Sequence, residues 1–483
     1  MKEWLKHIVV IALLVPLLFF NIKNTHDWGD DFAQYLLEAK NIKEGRPISY
    51  TNFVENPNYV LGPNFYPPGF PIIIALTSFD VQNLNLLMSF FLLCIAYFSF
   101  LLFNKWFHFP TALVLSMIIA YNPLCLGFKN DILSDFPFVA FVLLFFVLYL
   151  SENKKIWFLL LTGFVLAFAI EIRLVGWVLF IALISETIYK TGINYYRKKK
   201  YDLKHIKPDL WIAGSAIFFY GAFYLLFPHK VIYYPNPVKQ SLFEIISVNA
   251  NYNYSVLKYF FSCYDEGFLN YVVSYGIVFS ALIGILIFIF KPNPLKPTIL
   301  LFFFGVYLIS ILLHDYSNYG FRMLLPVIPL ILFFATYALF VMLVIVPYKH
   351  YIVSSLGILV LFCYKQPSLQ VLSSGNTVLP GPYSYEAAAT FLYINENIPK
   401  DASIMFSKPR ALTYFTGRKT YVNVEMTAKN VMDKEIEKFK PDYFLVNLEA
   451  TDDSSKSYFS RQTPTLDVVF SNNKFILIKL NNK

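Results

Sequence analysis

Three carboxylates lie close together in the polar segment 26–31, which follows the first apolar run of the chain. From Asp31 onward apolar residues recur at helical spacing, so we expect Asp31 to begin a helix with Asp30 just before it. A carboxylate at a helix start can be a simple N-cap. It can also be a general base that removes a proton from a hydroxyl or amine acceptor. The position of the segment, above a bundle with further polar residues, favours the second interpretation for Asp31 or Asp30.

Charged residues also lie at the outer ends of later apolar segments. Arg173 and Arg322 suit a phosphate, because a planar guanidinium can bind two of its oxygens at once. Simpler interpretations stay open: an N-cap beside Pro137 for Asp135, an ion pair with an acidic neighbour for Arg173, and a headgroup anchor for Arg322. Charges at this depth are costly and tend to mark function. The charged residues predicted at these outer ends are Asp131, Asp135, Glu171, Arg173, His314, Asp315 and Arg322.

A base, a phosphate clamp and access from lipid together indicate transfer of a group from a lipid phosphate. The composition fits a membrane protein, with 57% hydrophobic residues, 15% charged residues and a mean hydropathy of +0.52. Soluble domains carry about 25% charged residues. Basic cytoplasmic loops explain the net charge of +9 better than a nucleic-acid partner, so no nucleic acid is expected.

The sequence indicates no certain cofactor. Its four cysteines form no CxxC pair, and no histidine cluster accompanies them, so neither a disulfide framework nor a zinc site is indicated. No metal site stands out. A divalent cation between Asp31 and Asp135 stays open on charge grounds.

Hydropathy predicts a polytopic α-helical membrane protein with about eleven transmembrane helices. The first run ends without a small-x-small cleavage site, so we expect an uncleaved helix there. The predicted spans are 7–22, 82–104, 111–127, 136–151, 156–171, 174–189, 210–227, 270–290, 297–313, 325–346 and 351–365.

Lysine and arginine set the predicted orientation. The basic cluster 197–200 resists translocation and is expected to be cytoplasmic, together with the N-terminus. An odd number of spans then places the C-terminus outside. The outer side would receive a first loop at about 23–81, a Tyr/Asn-rich loop at about 228–269 and the tail from about 366.

The predicted domains are a transmembrane body, 1–365, and a small extracytoplasmic α/β domain, 366–483. In the tail, helices are expected at Tyr385–Asn397 and Ala428–Phe439 and strands at Ala402–Phe406 and Asp442–Val446. A final hairpin would join Val468–Phe470 to Phe475–Leu480. The sequence of this C-terminal domain contains no catalytic signature, so the expected role of the domain is either acceptor binding or structural capping.

The membrane body resembles the glycosyltransferase C superfamily. Three features carry the likeness: the Asp-x-x-x-Tyr helix opening at Asp31, the Tyr-Pro-Pro-Gly-Phe-Pro turn at 66–71, and the Arg-Met-Leu-Leu-Pro-x-x-Pro run at 322–329. The branch it resembles most contains protein O-mannosyltransferases, aminoarabinose transferases and related bacterial integral-membrane glycosyltransferases.

The resemblance implies an inverting glycosyltransferase that moves a sugar from a polyprenyl-phosphate donor to an extracytoplasmic lipid, glycan or protein acceptor. Asp31 matches the acidic residue that acts as, or positions, the base; the family often has Glu next, where this chain has Phe32, so Asp30 is the other candidate. Asp135 is similar to a second acidic residue of the family. Phosphate contacts are expected from Arg173 and Arg322, with His314 as a further candidate. The residues expected to line the substrate cavity are Tyr35, Tyr66, Pro67 and Pro68, of which Tyr66 replaces a frequent Lys.

Two other functions are compatible with a polytopic chain. A secondary transporter would show paired broken helices and charges at mid-membrane, whereas these charges lie at outer ends. An envelope glycan ligase or polymerase would share the polar outer loops but not a carboxylate helix directly after the first span. Abundant Phe, Ile, Lys, Asn and Tyr is typical of an AT-rich bacterial genome and indicates a bacterial cytoplasmic membrane.

Overall fold

The computed structural model describes residues 2–54, 66–198, 206–228, 241–262, 267–290, 297–313, 320–374, 380–422, 429–449 and 467–480. In these parts of the chain the protein is mostly helical. Its α-helices are α1 Glu3–Leu14, α2 Asp30–Lys43, α3 Gly69–Ala75, α4 Val81–Asn104, α5 Phe109–Ala120, α6 Pro123–Phe128, α7 Asp135–Tyr149, α8 Ile156–Ile172, α9 Trp177–Lys198, α10 Lys207–Leu226, α11 Leu242–Ser262, α12 Phe268–Phe290, α13 Thr298–Leu313, α14 Ile328–Met342, α15 Lys349–Ser373, α16 Tyr385–Asn397, α17 Pro409–Thr416 and α18 Lys429–Phe439.

Many of these helices are apolar enough to lie in a membrane. Among the described residues, five helical stretches have the length and apolarity to cross one, namely Val81–Asn104, Leu174–Tyr196, Lys207–Leu226, Tyr271–Phe290 and Lys349–Ser373. Five shorter apolar helices, α5, α7, α8, α13 and α14, lie between them in the sequence or pack beside them. The chain is therefore a membrane-embedded protein. Each of the eleven predicted intervals overlaps a helix, while the number of crossings stays a prediction.

The tail forms a small sheet domain. The described strands of its sheet are β2 Ser403–Phe406, β3 Lys419–Val422, β4 Tyr443–Asn447, β5 Asp467–Ser471 and β6 Phe475–Lys479 from the tail, and β1 Phe53–Val54 from the segment between α2 and α3. They lie in the order β1-β3-β2-β4-β6-β5, with β1, β3, β2 and β4 parallel and β6 antiparallel to both β4 and β5.

Both faces of the sheet are covered, because side chains alternate along each strand. Ile404 and Phe406 pack with α16 and α17 on one face, while Met405 faces the other side together with residues of α18. Near-continuous apolar strands are typical of a parallel sheet covered on two sides.

The predicted first outer loop, at about 23–81, packs into this domain at two places. Trp28 inserts among Phe391, Phe406 and Phe475, with ring centroids 6.3, 5.7 and 5.9 Å away. Further along the loop, β1 pairs with β3. Helix α2 therefore lies between the membrane body and the sheet domain, which explains why it is buried on nearly every side.

The Pro-Pro-Gly turn that precedes α3 packs directly on α8. A Cβ on Gly69 would lie 2.6 Å from the backbone carbon of Glu171 and 2.7 Å from the backbone nitrogen of Ile172. Only a residue without a side chain allows this approach. The glycine thus fixes the position of the preceding Tyr66 relative to the C-terminal end of α8.

Most tail elements predicted from the sequence are confirmed. The predicted helix Tyr385–Asn397 is observed with the same bounds, and the strands and the final hairpin agree within one or two residues. The sequence analysis did not predict α17, β3 and β1. Each is short, between two and eight residues, and depends on sheet pairing or packing for its stability. Helix α15 continues through the predicted domain boundary at 365/366.

Candidate active site

Asp31 is a partly accessible carboxylate of the predicted first outer loop. It lies in the first turn of α2, where the helix dipole favours negative charge. Its Oδ1 accepts a hydrogen bond of 2.6 Å from the Tyr66 hydroxyl and lies 3.4 Å from Nη1 of Arg410. One third of its side chain, 33%, is exposed. Both partners therefore contact the same carboxylate oxygen, Oδ1.

Asp30 has a different environment, although it is the adjacent residue. Its side chain is only 8% exposed, and its Oδ1 accepts the backbone N–H of Ala411 at 3.3 Å. Ala411 lies in the first turn of α17, whose own N-cap residue, Lys408, forms no side-chain capping bond. Asp30 therefore caps a helix of the sheet domain from outside that domain, a role that suits a carboxylate at a helix N-terminus.

Burial dominates the protonation of Asp30. It raises the pKa of this carboxyl to about 6, while the charges of Arg410 and Lys408 and the bond from Ala411 act in the opposite direction.

The second charged group of the site is an ion triad at the N-terminal end of α7. Asp135, in the first turn of α7, accepts Nη1 of Arg173 at 2.5 Å. Its other oxygen accepts Nε and Nη2 of Arg322 at 3.2 and 2.9 Å. Asp135 is 2% exposed, whereas Arg173 and Arg322 are 20% and 22% exposed. The two guanidiniums therefore remain partly accessible, and the carboxylate between them does not.

Tyr35 links the two groups. Its ring lies 4.3 Å from that of Tyr66 and 4.9 Å from that of Phe70, and its hydroxyl is 2.9 Å from Oγ of Ser134, the residue before Asp135. Asp31 is near enough to raise the pKa of Tyr35 and to act electrostatically on Arg322. Burial is the larger cause of the Tyr35 shift. Pro67 and Pro68 are buried in the turn that holds Tyr66.

Glu171, another charged residue of the predicted set, is buried in the last turn of α8. His314 and Asp315 lie outside the described residues. Asp131 lies beside this region, and burial raises its pKa to about 6. In the described part of the chain, no group of three or more His, Cys, Asp and Glu is arranged to hold a metal ion.

Two site residues were missed by the sequence analysis. Arg410 comes from the tail, more than three hundred and seventy residues after the carboxylates that it contacts, and no motif surrounds it. Glu38 lies two turns after Asp31 on α2, at the spacing that places residues on one helix face. That spacing could have indicated Glu38 as a site residue. In the sequence, however, Glu38 resembles the other charged residues near the end of an exposed helix.

Glu38 holds Tyr66 in place. Its Oε1 accepts the backbone N–H of Tyr66 and Nε2 of Gln34, both at 2.9 Å, and the side chain is fully buried. Burial raises the pKa of Glu38 from 4.5 to about 8, and the bonds from Tyr66 and Gln34 offset part of this effect. The group is thus protonated in the folded protein at neutral pH.

This protonation predicts a pH-dependent stability. The folded state holds the Glu38 proton more tightly than the unfolded state, so stability falls as pH rises from about 4.5 to about 8. Glu38→Gln keeps the acceptor oxygen and removes the titration. We expect the wild-type Tm to fall by several degrees relative to this variant between about pH 5 and about pH 9. Thermal unfolding in detergent measures it.

Glu44→Gln is the matched control, because Glu44 lies at the end of the same helix and is 43% exposed. It is expected to follow the wild-type curve. Parallel pH curves for wild type and Glu38→Gln would contradict a protonated Glu38.

The fold is similar to that of solved enzymes of the glycosyltransferase C superfamily. It is similar over nearly its whole length to ArnT from Cupriavidus metallidurans, at a TM-score of 0.57 and 10% identity, with 98% of this chain and 97% of ArnT covered. For a structure of the same ArnT bound to undecaprenyl phosphate, the TM-score is 0.56 and the sequence identity 11%. The match covers 99% of this chain and 98% of ArnT. The fold is also similar to that of archaeal oligosaccharyltransferase AglB from Archaeoglobus fulgidus, in complex with an inhibitory peptide and a dolichol-phosphate. The TM-score is 0.55 and the sequence identity 13%, with 93% of this chain and 70% of AglB covered.

ArnT, an aminoarabinose transferase, and AglB are both members of that superfamily, so the resemblance predicted from the sequence is confirmed at the level of the fold. No family model and no curated protein matches the chain by sequence.

Proposed function

We propose that this protein is an inverting glycosyltransferase that transfers a sugar from a polyprenyl-phosphate donor to an extracytoplasmic lipid, glycan or protein acceptor. The observation that carries the proposal is the pairing of an accessible carboxylate, Asp31, with two partly accessible arginines, Arg173 and Arg322, at one end of a membrane body. The fold shared with ArnT and AglB supports it, because structures of these enzymes contain a polyprenyl-type lipid phosphate.

The charge of the ion triad favours a monophosphate donor. Arg173 and Arg322 carry two positive charges, and Asp135 neutralises one of them. The remaining charge matches the single negative charge of a sugar-phosphate diester. Asp135 thus acts as the counter-ion that orients both arginines, since a buried carboxylate with two guanidinium partners is poorly placed to accept a proton.

The reaction follows from these positions. The acceptor hydroxyl or amine gives its proton to the second carboxylate oxygen of Asp31 while its heteroatom forms a bond to the anomeric carbon. The bond between that carbon and the phosphate oxygen breaks, and the electron pair leaves with the lipid phosphate. Arg173 and Arg322 stabilise the charge that develops there. Attack opposite the phosphate inverts the anomeric configuration.

Asp30, on this proposal, docks the sheet domain and is not the base. The predicted orientation, with a cytoplasmic N-terminus in a bacterial cytoplasmic membrane, supports an extracytoplasmic site. The proposal requires no divalent cation, since Arg173 and Arg322 would supply the positive charge that the phosphate needs.

A donor screen tests the function. Purified protein is incubated with a panel of polyprenyl-phosphate sugars and a membrane extract as the source of acceptor, and release of lipid phosphate is measured. We expect release with one donor class, none from the matching diphosphate donors, and no loss of activity in EDTA. Absence of release with every monophosphate donor would overturn the proposal.

A further inference from the structure

Helix α17 brings a fully buried arginine from the sheet domain to the active site. Arg410 is 1% exposed, and its Nε lies 3.8 Å from Asp30 while its Nη1 lies 3.4 Å from Asp31. The guanidinium carbon also lies 6.0 Å from the centre of the Tyr66 ring. The same first turn of α17 supplies the Ala411 N–H to Asp30. One turn of the sheet domain thus contacts both carboxylates.

A buried guanidinium is tolerated only where charged and hydrogen-bonding partners compensate for its lost hydration. Asp30 and Asp31 supply that charge, and both belong to the first outer loop. The two carboxylates also depend on Arg410, because neighbouring carboxylates repel each other unless a cation lies beside them. Docking of the sheet domain and ionisation of the carboxylate pair are therefore linked.

We propose that Arg410 is a positioning residue of the active site, which together with Tyr66 holds Oδ1 of Asp31 and so turns the second oxygen of this carboxylate to the acceptor. The sheet domain would then be a working part of the site, and its detachment would leave the enzyme inactive. This inference rests on the proposed function.

The charged and titratable groups that act on Asp31 come from four elements. Asp30 and Tyr35 lie on its own helix, Tyr66 on the turn before α3, Arg322 on the 3₁₀ turn Gly320–Met323, and Arg410 on α17. Arg322 is already bonded to Asp135. Loss of Arg410 therefore removes the cation that lies nearest to the carboxylate pair among these groups.

The test compares Arg410→Gln and Arg410→Lys with Arg418→Gln. Arg418 is another buried arginine of the same domain, but its side chain donates to backbone oxygens of Thr416, Ile394, Asn395 and Ile398. For Arg410→Gln we expect a kcat at least about tenfold lower and an acidic limb of the kcat/KM profile about one pH unit higher. Arg410→Lys should restore the limb and part of kcat. Arg418→Gln should lower Tm and leave the limb in place.

The proposal would be overturned if Arg410→Gln left both kcat and the acidic limb of the kcat/KM profile unchanged. It would also be overturned if Arg418→Gln shifted this limb by the same amount. If Arg410→Gln does not fold, Arg410→Lys decides: a kcat equal to wild type would overturn the proposal, and a reduced kcat would support it.

A second measurement separates this inference from the proposed function. The Tm changes of Arg410→Gln and Asp31→Asn are compared with the Tm change of the double variant. This measurement needs no substrate. We expect clear non-additivity, because the two side chains are partners. Additive changes would overturn the contact even in an active enzyme. Non-additive changes in a protein that releases no lipid phosphate would refute the proposed function alone.

Discussion

Asp31→Asn is expected to lower sugar transfer by about 10²–10⁴-fold, the contribution of a positioned general base. The amide keeps the acceptor oxygen for the Tyr66 hydroxyl but cannot take a proton from the acceptor. The fold should survive, since 33% of this side chain is exposed. The measurement is the initial rate of lipid-phosphate release at saturating donor, together with the elution profile of the purified variant.

Asp80→Asn is the matched control, because Asp80 is an exposed carboxylate of the same loop that caps α4 and Asn caps equally well. It should retain the wild-type rate. Asp30→Asn is diagnostic: it keeps an oxygen for the Ala411 N–H and should cost far less activity than Asp31→Asn. The opposite order of the two effects would exchange the roles of Asp30 and Asp31.

Arg322→Gln is the second substitution with a large expected effect. It removes one of the two guanidiniums that stabilise the leaving phosphate, a loss worth about 10²–10³ in kcat by analogy with single oxyanion donors. Arg173 remains bonded to Asp135, so the carboxylate keeps one partner and the protein should stay folded. Donor turnover and donor binding are measured on the same purified sample.

The exposed Arg46 in the first outer loop provides the control, and Arg46→Gln should behave as wild type. The double variant Arg322→Gln/Asp135→Asn separates stability from chemistry. It neutralises both partners, so it should recover Tm relative to Arg322→Gln without recovering turnover. Recovery of turnover as well would show that Arg322 serves only as the partner of Asp135.

The ion triad and the docked α17 share one physical feature. In each, a buried carboxylate has an arginine partner from a distant part of the chain. Paired charges of this kind fix geometry more than they stabilise the fold. The proposed site thus consists of one accessible carboxylate, Asp31, surrounded by charge pairs that orient it and the phosphate clamp.

Sequence patterns were sufficient for the membrane character, for the first carboxylate helix and for most tail elements. Long apolar runs have few alternatives to helices in lipid, because every backbone group must be bonded within the segment. The start of α2 is likewise a local property, since Gly29 and two acidic residues precede an apolar face. Asp31, Arg173 and Arg322 were recognised because charge at the end of an apolar span is conspicuous.

Only the tertiary structure decided how these residues combine. Asp30 and Asp31 are indistinguishable by type and spacing, and it is packing of α17 that buries one and leaves the other accessible. Asp135, predicted from the sequence as a second acidic residue of the site, is now the proposed partner of two arginines, because three separate segments meet around it. Arg410 and the strand β1 depend on contacts across hundreds of residues. Local propensity carries no information about such contacts, since their energy exists only once the distant partner is in place.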